Sequence, residues 1–210
     1  GVEAAIAIIL NGDAGDDFLS ADAILNGGAG NDILIGGLGN DTINGGAGDD
    51  VIDARGGNNA IDGGLGTDTI LVSGTSAGET IATVHTGGDF TVTGGLSAGA
   101  NTITGMEQVR IEAGDGSDTI NVTTSGAGGL NYNVLGGNPI GAVGDTLNLT
   151  STSDLTFMAG PESDSGSFVE AATTNIISFD EVESIGVTLV APGGLVTIMG
   201  TGDDDRITAT

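Results

Sequence analysis

GGAGNDILI (27–35), GGLGNDTIN (36–44), GGAGDDVID (45–53), ARGGNNAID (54–62) and GGLGTDTIL (63–71) follow one another without a gap. A fixed step of nine residues makes the stretch an array, to be read as stacked copies of one unit. Its consensus is GGxGxDxU, with U apolar. The glycine-rich half is expected to turn, because Gly tolerates positive φ and Asn or Asp tolerates the left-handed region. The apolar half is expected to form a strand of two or three residues. Leu34, Ile43, Ile52, Ile61 and Ile70 hold one place in successive units and are expected to face inward as a single ladder. Five independent hairpins would each bury one aliphatic side chain, too little for stability.

Outward from the array, Gly12 to Leu19 fits the same template with Asp13 for the second glycine, and the short unit Ala21 to Asn26 bridges it to Gly27. Val2 to Leu10 has no basic stretch before it and reads as a buried strand rather than a signal peptide. After Leu71 the nine-residue step stops. Thr80–Thr86, Phe90–Thr93, Thr102–Ile111, Thr119–Thr123, Thr146–Thr150, Asn175–Phe179, Val182–Val190 and Leu195–Met199 are rich in Thr, Val and Ile and read as strands. No segment has helical periodicity over the needed length. Asp68-Thr69-Ile70 recurs as Asp145-Thr146-Leu147, 77 residues on. The pattern Ile103-x-x-Met106-Glu107-x-Val109-x-Ile111 recurs from Phe179 to Val187, 76 residues on. The organisation expected is a repeat region over 1–71 and a β-solenoid over 72–210 with an internal duplication, about 68–144 and 145–210. A β-sandwich is the alternative for the second part. Gly200 to Ile207 reads as the opening of another repeat zone, and the chain as one slice of a longer protein.

Composition narrows the partners. Gly at 41 of 210 residues, 3% aromatics and no Trp leave few bulky groups for a thick core, which favours the thin core of a solenoid. Disorder is the alternative for a Gly-rich acidic chain, but 38% hydrophobic residues in regular spacing oppose it. The net charge of −26 makes nucleic acid and anionic membrane surfaces poor partners and divalent cations good ones. No apolar run is long enough to span a bilayer, and the absence of Cys excludes disulfides and thiolate metal sites. Calcium takes six to eight hard oxygen ligands, and a stacked turn offers both carboxylates and glycine carbonyls.

Five in-phase GGxGxD units resemble the RTX, or repeats-in-toxin, family of hemolysin-type calcium-binding nonapeptide repeats. The resemblance implies a parallel β-roll in which two nonapeptides make one coil and Ca2+ sits between turns stacked two units apart. Carried onto this sequence, one edge stacks the turns ending in Asp17, Asp32, Asp50 and Asp68, and the other stacks Asp41 on Asn59. Carbonyl ligands are implied at Gly28, Gly30, Gly37, Gly39, Gly46, Gly48, Gly64 and Gly66. The fourth unit departs from the pattern: Arg55 replaces a glycine and Asn59 the acid, which weakens cation binding on that edge. Arg55 is expected to pair with Asp53 or Asp62. Asp13, Asp16, Asp49, Asp53 and Asp62 are expected to be solvated, and Glu107 and Glu183 to be exposed positions on alternating strands, with a ligand role as the alternative. Asp118, Asp145 and Asp205 close later turns of similar type whose neighbouring turns are irregular; isolated calcium sites there are the alternative to plain turns.

Enzyme signals are weak. Gly74–Gly78 and Gly95–Gly99 match GxSxG, but no helix is expected after either Ser, and the single His, His85, reads as an ordinary strand residue. There is no HExxH. The function expected is therefore non-enzymatic: an extracellular, calcium-binding structural segment of a larger bacterial surface protein, such as a surface-layer, filament or adhesin subunit. It is expected to fold on calcium after type I secretion, and to self-associate or contact neighbouring domains of the same chain. The alternative is a calcium-binding accessory module of a secreted RTX enzyme or toxin.

Overall fold

Short apolar runs punctuated by glycine turns leave no stretch long enough for a stable helix, and the chain is all-β. The computed structural model describes residues 8–86, 89–96, 101–124, 129–138, 144–162, 164–190 and 194–199. Residues 2–7 of the expected first strand, Ser97, and the turn at 200–207 with Asp205 lie outside them.

Across the array the strands are β1 (Ile9–Ala14), β2 (Phe18–Ser20), β3 (Ile24–Ala29), β4 (Ile33–Ile35), β5 (Thr42–Ala47), β6 (Val51–Asp53), β7 (Ala60–Leu65) and β8 (Thr69–Thr75). Odd-numbered strands build one parallel sheet and even-numbered strands a second. Ile24 pairs with Thr42 and Thr42 with Ala60, so one coil spans two nonapeptides, 18 residues. The first coil is 15 residues, because the unit at 21–26 is three residues short.

Two local expectations change. The inward aliphatics form two facing ladders rather than one: Leu34, Ile52 and Ile70 on the second sheet, Leu25, Ile43 and Ile61 on the first, all at most 3% exposed. Within the array the strands of the first sheet, β1, β3, β5 and β7, are six residues long, not two or three, because pairing continues through the glycines: Gly28 pairs with Gly46 and Gly46 with Gly64.

The same two sheets continue through β9 (Thr80–Thr86), β10 (Asp89–Thr93), β11 (Thr102–Thr104), β12 (Gln108–Gly114), β13 (Thr119–Thr124), β14 (Asn131–Leu135), β15 (Thr146–Ser151), β16 (Leu155–Ala159), β17 (Gly166–Glu170), β18 (Ile176–Asp180), β19 (Ser184–Leu189) and β20 (Val196–Met199). The first sheet runs β1-β3-β5-β7-β11-β10-β9-β13-β15-β19, and the second β2-β4-β6-β8-β12-β14-β18-β17-β16-β20. Among the described residues only β10 and β17 run antiparallel to both their neighbours. The second part is thus a parallel solenoid into which each sheet admits one reversed strand.

Thr102–Ile111, read as one strand, divides at Gly105 (φ 64°), where the chain crosses from the first sheet to the second. Strands β14, β16 and β17 had no counterpart in the sequence reading. The two sequence-related segments also take different places. Asp68-Thr69-Ile70 enters the second sheet and Asp145-Thr146-Leu147 the first.

The core follows composition. In the array it is aliphatic and one side chain thick. From the first reversed strand onward it also holds aromatics: Phe90 of β10 against Tyr132, ring centroids 6.3 Å apart, and a cluster of Phe157, Phe168 and Phe179.

Candidate metal centre

The first edge of the solenoid, where the chain passes from first sheet to second, carries the turns 12–17, 27–32, 45–50 and 63–68. Each opens on a glycine and closes on an aspartate. Gly28, Gly46 and Gly64 lie at φ 106° to 118°, and Gly30, Gly48 and Gly66 at 133° to 144°. That left-handed backbone favours glycine and lets successive turns stack in register. Stacking buries the aspartates, leaving Asp32, Asp50 and Asp68 at most 1% exposed.

One oxygen of each carboxylate is used internally. The Asp17 N–H donates to Asp32 Oδ1, Asp32 to Asp50 Oδ1 and Asp50 to Asp68 Oδ1, each at 2.8 Å. The other oxygen has no donor: Asp17, Asp32, Asp50 and Asp68 all hold a buried, unpartnered Oδ2. A Cβ built on Gly27 would strike both Asp32 Oδ2 and the Gly45 carbonyl oxygen, and one on Gly45 both Asp50 Oδ2 and the Gly63 carbonyl. Glycine therefore keeps open a point where a carboxylate oxygen of one turn meets a carbonyl oxygen of the next. Buried acceptors that face only one another are costly. Hard anionic oxygens converging beside carbonyls fit a divalent cation such as calcium.

A family model described as the RTX calcium-binding nonapeptide repeat matches four copies here, over residues 9–23, 24–43 and 35–70. Residues 9–70 are an RTX calcium-binding repeat segment. A search of curated protein sequences returns no match to the chain. The fold and composition of the RTX segment thus carry a calcium-binding repeat module, and its geometry shows how the stack is arranged.

Charge accumulates along this edge. Burial lifts the Asp50 carboxyl above its ordinary range. The Asp32 amide pulls it down, while Asp68, Asp32 and Asp49 push it up further. Burial likewise raises Asp68, opposed by the Asp50 amide and assisted by Glu107, Asp49 and Asp62.

Glu107, expected to be a solvated strand residue, instead ends this stack: its Oε2 accepts the Asp68 N–H at 2.9 Å. It lies 39 residues from its partner, beyond the reversed strand β10, so the nine-residue period does not mark it. Gly45, Gly63 and Gly105 also reach the site through their carbonyls. The first two could have been read from their place at the head of each unit.

The second edge is built differently. Asp41 and Asn59 are brought together, the Asp41 N–H donating to Asn59 Oδ1 at 2.7 Å, and Asn101 extends the stack by accepting the Asn59 N–H at 2.9 Å. Here the acceptors are already satisfied. Asn59 Nδ2 donates to the carbonyls of Ala54 (3.2 Å) and Gly56 (2.9 Å), and Asp41 Oδ2 accepts the Gly37 N–H (3.0 Å). Asp22 Oδ1 accepts the Leu38 and Gly39 amides and faces Gly37. Side-chain amide hydrogens thus stand where the first edge has unpaired oxygens. Arg55, at φ 52°, places Nε 3.4 Å from Asp53 Oδ2. The pair is exposed and worth about 0–1 kcal/mol.

Outside the stacks, Asp16, Asn31 and Asp49 form an exposed outer ladder, accepting the amides of Asn31, Asp49 and Thr67 in turn at 2.8–2.9 Å. Asp62 accepts from Thr104 Oγ1. Both GxSxG serines were discounted from sequence, and Ser76 lies in a turn between two strands. His85 is a strand residue, buried inside β9. Burial is its main influence and lowers its pKa, with Glu170 opposing.

Glu170 offers the instructive contrast. It is fully buried, yet Thr124 Oγ1, Ser151 Oγ (2.7 Å), Thr173 Oγ1 (2.8 Å) and Asn175 Nδ2 (3.0 Å) all donate to it. Burial raises its carboxyl, but these donors outweigh burial and hold it below the ordinary range. A buried acid in this fold does not go unpartnered merely by being buried.

Proposed function

We propose that this chain is a calcium-binding structural segment of a larger bacterial surface protein, such as a surface layer, filament or adhesin, which folds on calcium after leaving the cell by a type I route. The observation that carries the reading is the row of buried, unpartnered Oδ2 atoms at Asp17, Asp32, Asp50 and Asp68. These carboxylates would hold the ions between neighbouring turns. Carbonyls would come from Gly45 and Gly63, beside the acids, and from the glycines at 28, 30, 46, 48, 64 and 66 that line the stacked turns. On the second edge Gly37, Gly39, Asp41 and Asn59 make a weaker place. A bound divalent cation supplies the positive charge that the converging oxygens lack.

The energetics connect this geometry to export. At low calcium the stacked carboxylates repel one another and oppose coiling. At high calcium each occupied place contributes about 2.7 kcal/mol when the free ion exceeds its Kd a hundredfold. The long two-sheet stack, with no helix among the described residues, suits a structural role and end-to-end contacts with neighbouring domains. Equilibrium dialysis and thermal melts with and without chelator test the reading. Calcium is expected to raise the melting temperature steeply, and Asp32→Asn with Asp50→Asn to lower the number of bound ions. An unchanged melt on removing calcium overturns it. A catalytic or acyl-modified domain beside this segment in the native chain would instead make it an accessory module.

A further inference from the structure

Beyond residue 71 the chain builds a second stack of the same kind, on the opposite edge and outside the RTX segment. It consists of residues 74–79, 113–118, 136–138 with 144–145, and 181–183, each lying where the chain passes from second sheet to first. The sequence Ala113-Gly-Asp-Gly-Ser-Asp118 reproduces the array turn. Gly114 and Gly116 lie at φ 97° and 144°, within about ten degrees of the range of their array counterparts. The Gly116 N–H donates to the Asn138 carbonyl of the next turn at 3.0 Å, as Gly48 does to Leu65 at 2.8 Å.

The acids stack identically. Glu79 N–H donates to Asp118 Oδ1 (2.8 Å), Asp118 to Asp145 Oδ1 (2.6 Å) and Asp145 to Glu183 Oε2 (2.5 Å). Asp118 and Asp145 are 1% and 0% exposed, and each keeps a buried, unpartnered Oδ2. A Cβ on Gly136 would meet Asp145 Oδ2 at 2.9 Å and strike the Glu181 carbonyl, the same convergence that Gly45 keeps open beside Asp50. Ala113 fills the corresponding glycine place with a methyl group, so the cradle at Asp145 is the roomier one.

Each stack also ends on a glutamate. Glu107 and Gln108 donate their amides to the Asp68 carbonyl, and Glu183 and Ser184 do the same to Asp145. The sequence similarity around Glu107 and Glu183 is thus a repeated stack terminus. The opening turn is closed internally: both Glu79 oxygens accept from Thr75, through its N–H and Oγ1.

We infer that the turns closed by Asp118 and Asp145 form a second divalent-cation site, separate from the RTX array and on the opposite edge of the solenoid. The inference rests on the reading of buried, unpartnered Oδ2 atoms as cation ligands, with carboxylates from Asp118 and Asp145 and a carbonyl from Glu181. The exposed cluster of Glu162, Asp164 and Asp180 is no rival, because no buried oxygen is left unpartnered there.

Asn59 already occupies such a stack and folds by donating to nearby carbonyls, so Asp118→Asn with Asp145→Asn is a conservative test. Calcium bound per chain is measured by equilibrium dialysis, with β-structure checked by circular dichroism. The double variant is expected to stay folded and bind at least one ion fewer than wild type, while Asp32→Asn with Asp50→Asn loses a different subset. Equal binding by wild type and folded Asp118→Asn/Asp145→Asn overturns the inference. Should that variant not fold, anomalous diffraction from wild-type crystals grown in calcium decides. A peak beside Asp118, Asp145 and the Glu181 carbonyl sustains the site. Peaks in the array alone overturn the second site but keep the array reading, and no peak in either place overturns both.

Discussion

At the scale of single residues, one amide hydrogen separates a turn with an unpartnered carboxylate oxygen, the proposed cation ligand, from a closed turn. Asn59 and Asp50 hold equivalent places on opposite edges, yet Asn59 Nδ2 satisfies Ala54 and Gly56 while Asp50 Oδ2 is left without a donor. Asn59→Asp removes that donor and adds a buried charge. In chelator the variant is expected to lose about 1–3 kcal/mol, from buried acceptors left unpaired. In saturating calcium it should recover and bind one ion more than wild type. Melts and dialysis under both conditions check this, and an unchanged calcium count would sink it. The substitution of Asp by Asn and of Gly by Arg was visible in the sequence and pointed to a weakened edge. That the Asn side chain donates to the Ala54 and Gly56 carbonyls was not visible, because it depends on which way its amide faces.

At the scale of the element, the glycine turn works only as a member of a stack. Gly15 and Gly48 hold the same place in their turns and similar left-handed φ, 113° and 133°. A Cβ on Gly48 would strike the Gly30 carbonyl, whereas one on Gly15 meets nothing within 4 Å. Both Ala substitutions carry backbone strain, but only Gly48→Ala adds overpacking against a neighbouring coil, worth roughly 1–3 kcal/mol more. Denaturant unfolding of both variants in calcium tests this, and equal losses would count against stacking as the source of the constraint. The nine-residue period revealed the units, and the structure shows that the shortened unit at 21–26 makes the first coil 15 residues. The period could not reveal that pairing runs on through Gly28, Gly46 and Gly64, since inter-strand hydrogen bonds tolerate the unusual φ when each coil repeats it.

At the scale of the whole molecule, charge is the governing term. The chain carries −26, and burial raises the carboxyls of Asp50, Asp68, Asp118 and Asp145. Neighbouring acids raise them further: Asp32, Asp49 and Asp68 around Asp50; Glu107, Asp49 and Asp62 around Asp68; Asp145 and Glu79 around Asp118; and Glu183 beside Asp145. One amide opposes the rise in each case. A folded pKa above the unfolded value means that the folded, metal-free chain binds more protons. Its stability is then fully present below about pH 4 and lost as pH rises through the folded values. Melting temperature in chelator is expected to fall between pH 4 and 7. In calcium the trend reverses, because ligation requires the deprotonated carboxylate. A flat profile in chelator contradicts the burial argument.

Sequence alone determined the array and the all-β character, because each follows from residue type at a fixed local period, whereas its two stacked edges were implied by the resemblance to the RTX repeat. Only the tertiary structure decided what lies across long separations. The crossing at Gly105 splits one apparent strand between two sheets. The reversed strands carry Glu107 and Glu183 to stack ends 39 and 38 residues from their partners. Asp118 and Asp145, 27 residues apart, become consecutive rungs. Such contacts depend on how many residues each coil takes up, and once coils differ in length no local period records that number.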